Sequence, residues 1–168
     1  MKMFVAALVF LSIFCLAAFQ PTAHSAAVSA NMDIGVVVDS SCAITTTSVS
    51  FPSYEPMGTN ATAPDDSTGG SVTVTCTTGT SGHITIGHGN NWTGSQARMV
   101  NGTASTYLPY ALYQDSSHSV VWDSITGMTI SAASDGTPRM FTVYGRIPAG
   151  QNVVGGAYAD TVSVAMNF

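Results

Sequence analysis

Positive charge is nearly missing from this chain of 168 residues. Lys2 is its single lysine, and Arg98, Arg139 and Arg146 complete the cations against nine acidic residues. Phosphate backbones are held by clustered Lys and Arg, so a nucleic-acid partner is disfavoured. Charge of either sign is scarce, at 8% of residues. So thinly charged a surface keeps a free monomer poorly soluble, and the composition fits a chain packed into an assembly. Cysteine is equally sparse, with only Cys15, Cys42 and Cys76. Beyond residue 25 no stretch carries the apolar period of a helix, and there is no internal repeat of useful length. The G-x-S-x-G of a nucleophile elbow does not occur. Gly145, Gly150, Gly155 and Gly156 lack the spacing of a phosphate loop and read as turn residues.

What is present begins with an export signal. Lys2 supplies a positive start, residues 4–19 are an almost unbroken apolar run, and Ala23-His24-Ser25 offers small residues for cleavage. The run is short for a membrane span, so residues 1–25 are expected to be removed. Cys15 follows the bulky Phe14 within this run, which argues against a lipid attachment site. About 143 residues remain, enough for one domain that buries about two-thirds of its unfolded surface. Cys42 and Cys76 survive cleavage, and an isolated pair in an exported protein is most simply a disulfide. A zinc site drawing on them with His83 and His88 lacks the usual paired spacing. The bridge would close a loop of about 35 residues, worth roughly 3.5–4 kcal/mol on the chain-entropy view.

Thr and Val dominate the remaining apolar stretches and polar turns recur at short intervals, the pattern of an antiparallel all-β sandwich. Residues 42–51 read as a first strand stopped by Pro52, and residues 53–70 as a long loop or irregular edge. SVTVTC (71–76) alternates, with Val72, Val74 and Cys76 on one face, which places the disulfide at the core. HITIGH (83–88) is the next strand and residues 90–102 are turn-rich. YLPYALY (107–113) is a strand in which Pro109 argues for an edge or a bulge. Residues 120–122 and 128–130 are short strands, RMFTVYGRI (139–147) a longer one. Residues 157–168 form the last, with Val162, Val164, Met166 and Phe168 on one face to the final residue. About six main strands result, where an immunoglobulin-like sandwich needs seven, and the absent one is the last.

The segment 28–38, VSANMDIGVVV, stands before this domain and alternates strictly. Val28, Ala30, Met32, Ile34, Val36 and Val38 occupy one face, and Ser29, Asn31, Asp33 and Gly35 the other. Burying each large side chain of such a face is worth about 1.5–3 kcal/mol. A sandwich short of its final strand has an exposed edge and an open core groove, and it attracts any strand available. The segment could pair within its own domain as an ordinary strand; passing residues 28–38 to the next molecule instead makes a head-to-tail contact that does not close, and so a filament. The division expected is therefore 1–25 signal, 26–41 donor extension and 42–168 domain.

The ordered motifs resemble the spore coat protein U domain, the subunit type of archaic chaperone–usher pili. They are the N-terminal alternation followed by Ser41-Cys42, VTVTCTTGT (72–80), Arg98-Met99 before a glycine turn, LPYALYQD (108–115) and Trp122. YGRIPAGQ (144–151), GAYADTV (156–162) and an alternating C-terminus complete the set. The resemblance implies an incomplete immunoglobulin-like pilin sandwich completed by a donor strand from a neighbouring subunit. It implies three partners: a periplasmic chaperone that lends a strand, an outer-membrane usher, and identical or related subunits. It also implies export through the periplasm to a surface pilus, with adhesion or biofilm formation as the role. Carried over by position, the six alternating residues from Val28 to Val38 insert, Cys42 and Cys76 form the disulfide, and Val162, Val164, Met166 and Phe168 border the groove. Ala30, being small, and Gly35, which weakens a strand, leave the register open by two residues.

Other classes compete with that reading. His83 and His88 flank a strand and read as exposed strand-end residues, His118 as part of a hairpin turn, and Asp65-Asp66 as a solvated loop. No catalytic, metal or cofactor residues are expected. Trp92, Trp122, Tyr107, Tyr110 and Tyr113 would serve a secreted glycan-binding sandwich, although alternating tyrosines equally pack across strands. A spore or cyst coat component exported by the same route is the alternative within the family. Asn60, Asn91 and Asn101 lie in N-x-Thr sequons, which matter only in a eukaryotic host.

Overall fold

The computed structural model describes residues 25–67, 69–131 and 136–168. All but the last residue of the expected signal, Cys15 included, lies outside them. The chain divides after Val37 into two units. In the first, the described residues 25–37 form no helix or strand, and all are exposed.

The second unit is built from strands: β1 (Cys42–Ser50), β2 (Asp65–Asp66), β3 (Gly69–Cys76), β4 (Gly82–Ile86), β5 (Ala97–Asn101), β6 (Thr106–Tyr113), β7 (Met128–Ile130), β8 (Arg139–Thr142), β9 (Tyr144–Ile147) and β10 (Val164–Asn167), with one 3-10 turn at Thr59–Ala61. They form three antiparallel sheets, ordered β1-β3-β8, β10-β4-β7 and β2-β9-β6-β5. Their inward side chains meet in one core: Val72 and Val74 of β3, Ile84 and Ile86 of β4, Leu108 and Leu112 of β6. Trp122 fills its centre and donates its indole N–H to the Ile84 carbonyl at 2.9 Å, so the buried polar atom is satisfied. The all-β sandwich inferred from the alternation is what the chain forms.

In β3 the alternation reads out directly, Val72, Val74 and Cys76 being buried and the threonines between them partly exposed. Its partner β1 sets Cys42 opposite Cys76, and the two are joined as a disulfide. Cys76 is buried and Cys42 only partly so, which places the bridge at the rim of the core.

Several expectations are corrected. Ten short segments stand where about six main strands were counted. Residues 90–102 are not all turn: β5 lies within them, stabilised by Arg98 stacking 4.0 Å over the Tyr107 ring across the ladder. The single strand expected at 139–147 divides at Val143, β8 pairing with β3 and β9 with β6 and β2. Regular pairing over 157–168 is confined to β10, preceded by one bridge from Ala159 to Val100. At 120–122 only Val121 bridges, to Tyr113. Pro109 lies in β6, which is flanked by β5 and β9. The β9 ladder, however, covers only Ala111–Tyr113, so on that side the missing proline N–H costs no bond. Asp65-Asp66 is no solvated loop. It pairs with β9, and Asp66 is held by Arg146 through bonds of 2.6 and 2.9 Å.

The motif at 144–151 proves to be structural. Tyr54 donates its hydroxyl to the Pro148 carbonyl at 2.8 Å and accepts the Gln151 N–H at 2.9 Å. The Gly150 N–H reaches the Asn60 carbonyl at 2.7 Å, and buried Asn60 accepts the Glu55 N–H. Together these bonds knit the irregular 53–66 region to β9. Gly145 is needed because a Cβ there would stand 2.7 Å from the Phe51 ring.

Candidate functional site

Among the strands at sheet edges, β1 and β10 are the two that flank an opening into the core. β1 pairs only with β3, and β10 only with β4, among the described residues. The other edge of each borders a groove that opens straight into the core. One lobe of this groove has a volume of about 460 Å³, with Val72, Ile86, Tyr110, Leu112 and Val143 as its floor. A second lobe, about 570 Å³, is floored by Leu108 and Ile147. Both are lined by Val49, Phe51, Met99 and Tyr158, where one lobe runs into the other. One wall is β1 with the chain that follows it to Pro56; the other is the segment 153–164.

The burial pattern records the same opening. Ile44, Val49 and Phe51 on one wall, and Val162, Val164 and Met166 on the other, pack on the core yet stay partly exposed. Ile84 and Ile86, with neighbours on both sides, are sealed. A trough with an apolar floor, bounded by two edge strands, has the chemistry to take up one extended, amphipathic strand. Its floor would accept alternate apolar side chains, and its edges would accept the N–H and C=O ladders.

Of the expected groove-border residues, Val162 and Val164 line the first lobe. Met166 packs on the core outside that lining, while Phe168 lies beyond the last paired residue and is 59% exposed. The expected inserting residues form an uncovered row: Val28 is 95% exposed, Met32 84% and Ile34 91%, with Ala30, Val36 and Val38 also exposed.

Sequence reasoning did not find Asp160 and Tyr158 in the groove wall. The signal was available, since Asp160 interrupts the inward row Tyr158, Val162, Val164 and Met166 with a carboxylate. The remaining candidates have structural roles. His83 is exposed beside Thr129, and His88 stacks on Trp92 at 4.1 Å. His118 is buried, its side chain 7% exposed, edge-on to Tyr113 and 3.5 Å from Asp66. Tyr110 is core, its hydroxyl pKa raised by burial and by Asp160. Among the described residues no three His, Cys, Asp or Glu side chains converge as metal ligands.

Comparison with known proteins agrees with this geometry. The family model described as Spore Coat Protein U domain matches residues 28–165. The chain belongs to the Spore Coat Protein U domain family. The matched range starts at Val28, so it takes in the exposed alternating segment as well as the sandwich. Another relative, Protein U of Myxococcus xanthus, is 34% identical over 164 residues, covering 91% of each chain. Among solved structures, the fold is similar to a chain of a pre-assembly complex between chaperone and tip adhesion subunit. That complex comes from the archaic chaperone–usher Csu pili of Acinetobacter baumannii, with TM-score 0.55 and 24% identity. The match covers 78% of this chain and 40% of that one. This Spore Coat Protein U domain thus has an open all-β sandwich fold similar to that chain, and its family is one of structural, non-enzymatic proteins.

Proposed function

We propose that this protein is a structural subunit of a surface pilus, assembled by the chaperone–usher route through donor-strand exchange. One observation carries the reading: the groove with an apolar floor between β1 and β10, in a chain that also carries an exposed segment of alternating pattern at 28–38. Val28, Ala30, Met32, Ile34, Val36 and Val38 of one subunit enter the groove of the next, and the contact repeats without closing. During export a periplasmic chaperone covers the groove with a strand of its own, and at an outer-membrane usher the donor strand replaces it. Val162 and Val164 border the groove at the edge where either strand pairs, and Met166 and Phe168 continue that wall toward the C-terminus beyond the groove lining. Surface fibres of this kind serve adhesion or biofilm formation.

Ile34→Asp tests the joint, because it would carry a charge into the neighbour's core, which costs far more than the side chain's burial contributes. The variant is expected to fold as a chaperone-bound subunit with an unchanged thermal transition and to form no fibres on electron microscopy. Fibres of normal length, or unfolding of the chaperone-bound subunit, would contradict the reading. Neighbouring genes for a chaperone and an usher are expected.

The family description favours a second reading, a spore or cyst coat component exported by the same route. Immunogold labelling separates the two: label along surface fibres supports a pilus, and label in a continuous coat layer supports the alternative.

A further inference from the structure

The motif at 156–162 contains a feature that strand donation by itself does not use. The groove wall at 158–163 changes partner along its length. Ala159 exchanges both backbone hydrogen bonds with Val100 of β5, at 2.8 and 3.1 Å, whereas the Ser163 carbonyl accepts the Gly87 N–H at 2.7 Å beside β4. The wall therefore crosses from one sheet to another, and no continuous ladder supports the crossing.

Asp160 sits at that crossing, partly buried, on the inward side. One carboxylate oxygen accepts the Tyr110 hydroxyl at 2.8 Å, rising from the groove floor. The other accepts the backbone N–H of Asn90 at 3.1 Å and the side-chain amide of Asn91 at 2.9 Å. The Asn90 N–H also points at the Thr161 carbonyl, at 3.2 Å. Gly89 has φ +86°, and a Cβ there would lie 2.0 Å from the Asp160 carboxylate, so the loop comes as close as a glycine permits. Charge-assisted bonds of this kind are about twice as strong as neutral ones. No cation faces the carboxylate in these contacts; hydroxyl and amide donors alone hold it.

We propose that Asp160 is a positioning residue for the groove, a tie that holds the wall 158–163 apart and in place before any strand enters. It fastens the wall to the floor through Tyr110 and to the β4–β5 loop through Asn90 and Asn91. The inference rests on the strand-acceptor reading for its purpose and on the contacts themselves for its existence. A wall fixed in advance lowers the ordering cost that an incoming strand must meet.

Two measurements on Asp160→Ala, with Tyr110→Phe as the partner variant, test it. The first needs no donor. Hydrogen exchange of the Gly87, Asn90, Val100 and Ala159 amides in the mature chain is expected to speed up about tenfold in Asp160→Ala, with β3 unchanged. Equal protection at those four amides overturns the proposal. The second is uptake of a labelled synthetic peptide of residues 28–38. Asp160→Ala is expected to slow uptake about tenfold, and adding Tyr110→Phe to slow it little further, because both break one connection. A merely structural Asp160 would weaken empty and strand-filled forms alike and leave the uptake rate unchanged, which also overturns the proposal. If the unaltered chain takes up no peptide at all, the strand-acceptor function fails, and the exchange result alone decides the tie.

Discussion

Asp115 shows how a single side chain sets a local structure and its response to acid. Its carboxylate accepts the hydroxyls of Ser117 and Ser119 and the N–H groups of Ser119 and Val120, closing the turn that presents His118 to Tyr113. The Ser117 hydroxyl first, then the backbone N–H groups, hold the Asp115 pKa below its ordinary value. A depressed carboxylate pKa contributes stability that is fully present above the unfolded value, about 4, and is lost as pH falls through the folded value. The expected outcome is that Asp115→Asn lowers the urea midpoint at pH 7 and that its deficit against the unaltered protein shrinks steadily below about pH 4. A deficit constant from pH 7 to pH 2 would contradict this assignment. His118 itself was legible only as a turn residue. Its burial depends on Tyr113 and Tyr144, brought together by the β6–β9 pairing, which no local pattern announces.

At the scale of elements, sequence periodicity reports which face a residue takes and is silent about which strand it pairs with. In 139–147 the positions of Phe141, Val143, Gly145 and Ile147 all lie on the core face, so the alternation runs unbroken while the hydrogen-bond partner changes from β3 to β6 and β2. The row Tyr158, Val162, Val164, Met166 likewise keeps one face through a segment that becomes a ladder only at β10. β5 was hidden differently: Ala97, Arg98 and Met99 are all partly buried and show no alternation, Arg98 being covered in part by its contact over the Tyr107 ring. The pairing of Cys42 with Cys76 was readable from cysteine count and compartment alone, and it clamps the ends of β1 and β3. Reducing the bridge, or replacing both cysteines by serine, is expected to lower unfolding free energy by about 2–5 kcal/mol. Because β1 is a sheet edge paired only with β3, whereas β6 is paired on both sides, the β1 wall is expected to lose hydrogen-exchange protection before β6 does. Loss of protection that began instead in β6 would contradict this.

For the whole molecule, the central feature is a core left open along one line, between β1 and β10, in a chain that also carries an exposed segment of alternating pattern at 28–38. The alternation at 28–38 is plain in the residues; the open edge was expected from a count of about six strands, where the described residues form ten short segments. The two-lobed shape of the groove and its fastening at Asp160 were not legible, because they arise where segments distant in sequence converge. The direct test is to append a copy of residues 28–38 after Phe168 through a short flexible linker, in a chain whose own residues 26–38 are removed. A supplied strand that fills the groove buries its large side chains at about 1.5–3 kcal/mol each and leaves no donor to extend a polymer. The expected result is a monomer by light scattering with a markedly higher denaturation midpoint than the same chain lacking any donor strand. A donor-free chain that is already monomeric and equally stable would contradict the account.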